Sequence, residues 1–223
     1  MSSVSGDTRP YSTCFVLMGV SGSGKSIIGE SLANRLGVQF IDGDNLHPKS
    51  NIEKMSAKIP LTDEDRRPWL EQIQQLVHQW NVDNVTGVVV CSALKKKYRD
   101  IIRSKSHKRT EDFIRQTDGS QIQADDTTRI TDDLNRMEIA SSGTDNRVRF
   151  IYLKANFNLI LQRLQNRAGH FMPPDLLQSQ FRTLEEPDVN VETDVTTVNV
   201  DRPLEEVVDE CCRIVRKEME RPD

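Results

Sequence analysis

The run Gly19-Val20-Ser21-Gly22-Ser23-Gly24-Lys25-Ser26 completes the pattern G-x-x-x-x-G-K-[ST], and nothing else limits the fold of this chain as strongly. Its flanks suit it. Cys14 to Met18 is a short apolar run that reads as a buried strand. Ser26 to Leu36 reads as a helix, with Ile28, Leu32 and Leu36 on one face and Gly37 as its stop. A strand that turns through glycines into a helix aims successive backbone N–H groups at one point, where the helix dipole adds partial positive charge. A di- or triphosphate fits that concavity. Gly19, Ser21, Gly22, Ser23 and Gly24 then cradle phosphate oxygens, Lys25 reaches the β- and γ-phosphates, and the Ser26 hydroxyl takes a place on Mg2+. The alternative, a loose glycine turn with a solvated lysine, has no need of a strand and a helix on either side.

At 223 residues the chain can bury one large core, and a single domain over 1–223 is expected. A net charge of -4 argues against wholesale binding to nucleic acid or anionic membrane, so any basic site must be local. Residues 1–11 are polar and carry an early proline. They lack the apolar run of a signal peptide and the repeated arginines of a transit peptide. No stretch approaches the ~20 apolar residues of a membrane span. These features predict a cytoplasmic enzyme with a flexible N-terminus and neither nucleic-acid nor membrane partners. They leave oligomeric state open, a homodimer included.

Cys14, Cys91, Cys211 and Cys212 make no metal-ligand or disulfide spacing. The first two fall in apolar runs and read as small core residues. The vicinal pair continues the face Leu204, Val207, Val208, Val215 of a terminal helix and again reads as core, with a redox role as the alternative.

Short apolar strands alternate with amphipathic helices along the chain. Val38 to Ile41 is a strand ending in Asp42-Gly43-Asp44, and Pro48 opens a helix through Lys58. A further helix starts near Thr62, where Thr62 and Asp65 have capping-box spacing, and carries Trp69, Ile73, Leu76, Val77 and Trp80 on one face. Val88 to Cys91 is a strand and Lys95 to Arg103 a helix. Val148 to Leu153 is a strand, followed by a helix capped by Asn156 with Phe157, Ile160, Leu161 and Leu164 inside. Thr196 to Val200 is the last strand, and Arg202 to Glu218 the closing helix. Five strands separated by helices predict an α/β fold, a parallel sheet covered on both faces. Between Ser104 and Arg147 the pattern fails. Apart from one short helix marked by Ile130, Leu134 and Met137, that polar insertion offers too little apolar area to offset the entropy of ordering it. It reads as a solvated loop elaboration, or else as a docking or regulatory segment.

In a doubly wound sheet, ligands collect beyond the carboxyl ends of the strands. Asp42 and Asp44 end the second strand, two residues apart and so expected on one side of it. One such carboxylate can take a proton from an attacking hydroxyl while the other orients water on Mg2+; the alternative is a pair of turn aspartates around Gly43. Ser92 to Arg99 follows the third strand onto the same rim. Its lysines can hold an anionic substrate, some of the four cations being solvated helix face. Arg66 or Arg67 can grip a carboxylate bidentately, or pair with the neighbouring Asp63 and Asp65. Arg163 and Arg167 share a helical face just before Ala168 to Pro174, a glycine- and proline-bounded segment that reads as a lid over 167–175. Arginines there can neutralise charge on a transferring phosphoryl group, or simply be solvated.

Taken together, Gly19 to Ser26, Asp42 to Pro48, Ile59 to Leu70, Cys91 to Asp100 and Gly169 to Phe181 resemble the sequence blocks of the small P-loop gluconokinases, relatives of shikimate and nucleoside monophosphate kinases. The resemblance covers Phe15 to Asp100 and Arg149 to the C-terminus. It implies the P-loop kinase fold with strand order 2-3-1-4-5, ATP and Mg2+, and phosphorylation of D-gluconate at its 6-hydroxyl. Residue by residue, it implies that Gly22, Gly24, Lys25 and Ser26 meet the nucleotide phosphates. Asp44 becomes the base or hydroxyl orienter, with Asp42 near the metal. His47, Arg66 and Lys95 become gluconate contacts, and Arg163 and Arg167 lid-side phosphate binders. His170 either faces the site or packs. The chain departs from the family pattern at Ile27, where a threonine often follows the motif serine, at Lys58, where glycine is common, and in the length of the polar stretch before Val148.

Overall fold

The computed structural model describes residues 12–57, 59–104, 147–166 and 174–220. The expected N-terminal tail, Lys58, nearly all of the polar insertion with its short helix, and the expected lid residues 167–173 lie outside these.

Five strands build one parallel sheet: β1 (Cys14–Met18), β2 (Gln39–Asp42), β3 (Gly87–Val90), β4 (Val148–Lys154) and β5 (Val195–Asn199), in the order β2-β3-β1-β4-β5. β1 runs down the middle, with Val16 registered against Val89 on one side and Phe150 on the other. Every residue of β1 is buried, as a central strand covered on both faces requires. The pleat sorts its side chains by parity. Cys14, Val16 and Met18 join Val89, Phe150 and Tyr152 in one core, whereas Phe15 and Leu17 join Val88, Val90, Ile151 and Leu153 in the other.

Helices close each face. α3 (Asp63–Val82) lays Trp69, Leu70, Ile73, Val77 and Trp80 on the first core, where Tyr98 and Ile102 of α4 (Lys96–Arg103) complete it. α1 (Lys25–Leu36) and α7 (Leu204–Met219) cover the second. Each fully buried Leu, Ile or Phe in these layers is worth roughly 1.5–3 kcal/mol. The remaining helices are α2 (Lys49–Ser56), α5 (Phe157–Gln165) and α6 (Pro174–Thr183). The expected caps form: Thr62 and Asp65 make a reciprocal capping box, and the Asn156 side chain accepts the Leu159 N–H at 2.9 Å. All four cysteines are free and buried, the vicinal pair included, and burial pushes the thiols of Cys14, Cys91 and Cys211 up to about 12. No helix among the described residues is long and apolar enough to cross a membrane.

Several expectations need correction. Strand and helix bounds shift by one or two residues, and Cys91 lies just past β3. α6 was not expected as a helix at all. Asp42 and Asp44 are not strand neighbours on one side of β2, because Gly43–Leu46 is a 3-10 turn that Asp42 itself caps, its Oδ1 accepting the Asp44 N–H at 3.0 Å. Arg99, expected among rim cations, is wholly buried instead. Its Nε and Nη2 donate to the two Glu192 oxygens at 2.8 and 2.6 Å, and Arg103 adds a bond to the same carboxylate at 2.7 Å.

Because the strands are parallel, Met18, Asp42 and Val90 end along one rim, and the three connections that follow meet there. A third apolar cluster caps that rim, where Leu177 of α6 and Ile160 and Leu164 of α5 pack on Val20 and Leu94.

Candidate active site

The motif loop leaves β1 and enters α1 through Gly24, whose φ of 94° no side-chain-bearing residue adopts without strain. That turn aims the first N–H groups of α1 at the rim. Lys25 folds back over the loop, its Nζ donating to the carbonyls of Gly19 and Val20 at 3.0 Å each. Burial lowers its pKa, against the pull of Asp44, Cys91 and Asp42. The Ser23 hydroxyl is buried inside the loop with no hydrogen-bond partner among the described residues.

On the α1 side, Ser26 Oγ donates to Asp42 Oδ2 at 2.9 Å. A hydroxyl and a carboxylate so placed form a hard oxygen pair of the kind Mg2+ takes from protein while keeping waters and phosphate oxygens as its other ligands. Asp44 follows on the 3-10 turn. It retains exposed surface, yet desolvation by the surrounding protein and then repulsion from Asp42 raise its pKa, with Lys25 opposing. Asp44, Asp42 and Lys25 thus share one electrostatic neighbourhood.

Behind Asp44 the turn is pinned, since Trp69 Nε1 donates to the Gly43 carbonyl at 2.7 Å. The same indole stacks on His47, centroids 4.1 Å apart. Asn51 Nδ2 bonds both the Asp65 carbonyl and His47 Nδ1, so His47 Nδ1 is an acceptor and the proton lies on Nε2. Burial, and then Arg66, depress the imidazole to about 4, leaving it neutral at physiological pH.

Lys95 stands at the N-cap position of α4 and is not a free cation. Its ammonium donates to both Asp63 oxygens, at 2.9 and 3.1 Å, and lies 5.6 Å from the Tyr98 ring centroid. Lys97 and the Tyr98 hydroxyl donate to the same carboxylate, and these three donors hold Asp63 far below the usual range. Neither alternative for Arg66 and Arg67 as partners of Asp63 or Asp65 forms. Asp65 takes Lys54 at 2.6 Å, Arg67 pairs with Glu71, and Arg66 lies 6.0 Å from the Tyr98 centroid with one bond to the Leu61 carbonyl. The turn carrying Lys95 contains Ala93 at a φ of 42°, a strained value for a residue with a Cβ, and Arg99 Nη1 holds it by the carbonyls of Ala93 and Leu94 at 3.1 and 3.3 Å.

On the other flank of the loop opens a cavity of about 260 Å³ lined by Gly22, Gly24, Ile27, Arg163, Val200 and Leu204. Arg163 Nη2 donates to the Val200 carbonyl at 2.6 Å, which sets its guanidinium beside the loop and not out in solvent. Arg167 and His170 lie outside the described residues. The rim therefore gathers Gly19, Ser21, Gly22, Ser23, Gly24, Lys25, Ser26, Asp42, Asp44, His47, Arg66 and Lys95, and Arg163 shares a cavity with Gly22, Ser23 and Gly24.

The sequence alone does not point to Asn51 or Gln180, and it offers Asp63 as a partner for Arg66 or Arg67, not for Lys95. Gln180 Oε1 accepts the Ser21 N–H at 2.7 Å. The spacing Leu177, Phe181, Leu184 would have signalled α6 and put Gln180 on its inner face. Asn51 and Asp63 carried no such signal, because their partners are distant in sequence or depend on how two helices meet.

The arrangement has known counterparts. The shikimate kinase family model matches residues 21–110. The thermosensitive gluconokinase of Escherichia coli is 40% identical over 201 residues, covering 90% of this chain and 86% of that protein. The thermoresistant gluconokinase of the same organism is 39% identical over 91% of this chain and 93% of its own length. Among solved structures, a gluconokinase from Sinorhizobium meliloti 1021 superposes with a TM-score of 0.66 at 35% identity, covering 95% of this chain and 96% of that one. Identity at this level over nearly the whole length means that the chain belongs to the gluconokinase family.

Proposed function

We propose that this chain transfers the γ-phosphoryl group of ATP to the 6-hydroxyl of D-gluconate, giving 6-phospho-D-gluconate and ADP. The observation that carries the reading is the family likeness to gluconokinases over nine-tenths of the chain, set on a rim where a phosphate loop, an acid pair and a basic turn converge. ATP lies with its phosphates on the loop amides and its nucleoside toward the apolar cavity beside Ile27, Val200 and Leu204. Ser26 and Asp42 suit Mg2+, which when bound neutralises charge on the β- and γ-phosphates.

Asp44 accepts the proton of the 6-hydroxyl as the new O–P bond forms and the bond from the β,γ-bridging oxygen to phosphorus breaks. A raised carboxyl pKa suits a group that must take that proton and release it. Lys25, Arg163 and Arg167 meet the charge that spreads over the transferring oxygens. His47, through its Nε2–H, Arg66, Lys95 and His170 recognise the hydroxyls and carboxylate of the sugar acid. Asp63, already neutralised by three donors, keeps Lys95 at the rim. We further propose one catalytic domain elaborated by the polar segment 104–147 and acting in the cytoplasm.

Incubation with ATP, Mg2+ and D-gluconate tests this, with the product read by phosphorus NMR. A phosphate monoester on the C6 methylene is expected. Phosphorylation at another carbon, or ATP consumption without gluconate ester, would reject it.

A further inference from the structure

Three observations meet at one side chain. Gln180 stands on the inner face of α6, between Leu177 and Phe181, which pack into the apolar cluster around Val20. Its carboxamide accepts the Ser21 N–H at 2.7 Å, so an amide of the phosphate loop is held by a side chain 159 positions away. Because Ser21 offers an N–H, the carboxamide must turn its oxygen to the loop. That orientation leaves the two N–H donors over, and they have no hydrogen-bond partner among the described residues.

The end of the loop at which this happens is fixed by Lys25. The lysine of this motif reaches the β- and γ-phosphates. Here its Nζ rests on the carbonyls of Gly19 and Val20, adjacent to Ser21. The amides nearer the start of α1 serve the inner phosphates. Ser21 and Gln180 therefore border the terminal phosphate, and neither is among the residues that line the nucleoside cavity with Gly22, Gly24 and Ile27.

We propose that Gln180 is a γ-phosphate-binding residue: its carboxamide oxygen fixes the loop at Ser21 while its carboxamide N–H meets the γ-phosphoryl group, so that α6 registers ATP and not ADP. The side chain is suited to both tasks because it is neutral and carries an acceptor and a donor on one rigid plane. A carboxylate there would keep the first task and oppose the second.

Gln180→Glu separates the two. Glutamate accepts the Ser21 N–H as well as glutamine does, with nearly the same shape, but sets a negative charge against the phosphate. Binding of AMPPNP and of ADP is measured by calorimetry on the full chain. AMPPNP is expected to weaken at least ~10-fold, which is about 1.4 kcal/mol, while ADP stays within ~3-fold of the wild type. Equal affinities for both nucleotides in variant and wild type would reduce Gln180 to a tether and overturn the proposal. Equal weakening of both would place it at the inner phosphates and overturn it equally. In the wild-type protein, the side-chain amide resonance of Gln180 is expected to shift with AMPPNP and stay put with ADP, a readout that needs no variant to fold; no shift with AMPPNP also overturns it. The proposal rests on ATP as donor. A wild type that binds neither nucleotide rejects that reading and this one with it, whereas ADP binding with no γ-dependence rejects this one alone.

Discussion

Replacing Glu192 by Gln strikes the buried ion pair that anchors the basic turn. Arg99 is wholly buried, and its guanidinium is shared between both Glu192 oxygens and the carbonyls of Ala93 and Leu94. Burial alone would raise the Glu192 carboxyl, but the bonds from Arg99 and Arg103 together bring it down to about 2 from an ordinary 4.5. A displacement of that size corresponds to about 3 kcal/mol. Stripping one partner from a buried pair typically costs about 3–5 kcal/mol, because the other charge is left uncompensated. Glutamine retains the shape and one acceptor, so the lower figure applies. For a chain of this length about 3 kcal/mol lowers Tm by roughly 6–12 °C. The sign with pH follows from the depressed value: the contribution is complete above 4.5 and is lost as pH falls toward 2. Urea unfolding of wild type and Glu192→Gln at neutral pH and again at about pH 3.5 is expected to show a gap that narrows in acid. The turn leads into Lys95, so the gluconate KM rises as well. A loss under about 1 kcal/mol, the scale of a surface pair, or a gap that does not change with pH, would mean that Glu192 is not a stabilising buried partner of Arg99.

Asp44→Asn should lower kcat about 10²–10⁴-fold with ATP affinity nearly kept. In the wild type, kcat should fall as acid protonates Asp44, at a pH above that of an ordinary aspartate, and Asn should abolish that limb of the profile. Asp42→Asn should raise the Mg2+ concentration needed for half-maximal rate, checked by Mg2+ titration; a larger loss at saturating Mg2+ than Asp44→Asn would exchange the two roles. Gly43→Ala should cost about 10²-fold in kcat by moving the turn, because its Cβ would lie 2.5 Å from the Val90 carbonyl oxygen. Lys25→Ala should leave the melting curve of the ligand-free protein close to wild type and cost ~3 kcal/mol or more in transfer.

Most of the architecture was legible because parallel strands buried on both faces are continuous apolar runs, and because the helices between them keep a 3.6 period. β1, Thr62 and Asn156 illustrate this, each being decided by local chemistry. What escaped was set by tertiary contact. The relation of Asp42 to Asp44 depended on a 3-10 turn held by Trp69, a side chain 26 positions from its Gly43 partner. Arg99 looks like its lysine neighbours in the sequence, and Glu192 from across the chain, with the Ala93 and Leu94 carbonyls, turns it inward. Lys95 read as a free cation for the same reason, since Asp63 lies 32 residues earlier on another helix. The phosphate loop needed no such help, because its glycines, lysine and serine are contiguous.

Which acceptor the rim selects is read from kcat/KM for D-gluconate, shikimate and nucleoside monophosphates, each with saturating ATP and Mg2+ and coupled to ADP release. Gluconate is expected to exceed every other acceptor by at least ~10²-fold, as a site built to hydrogen-bond a polyhydroxy acid should. Faster turnover of shikimate or of a nucleotide would contradict it.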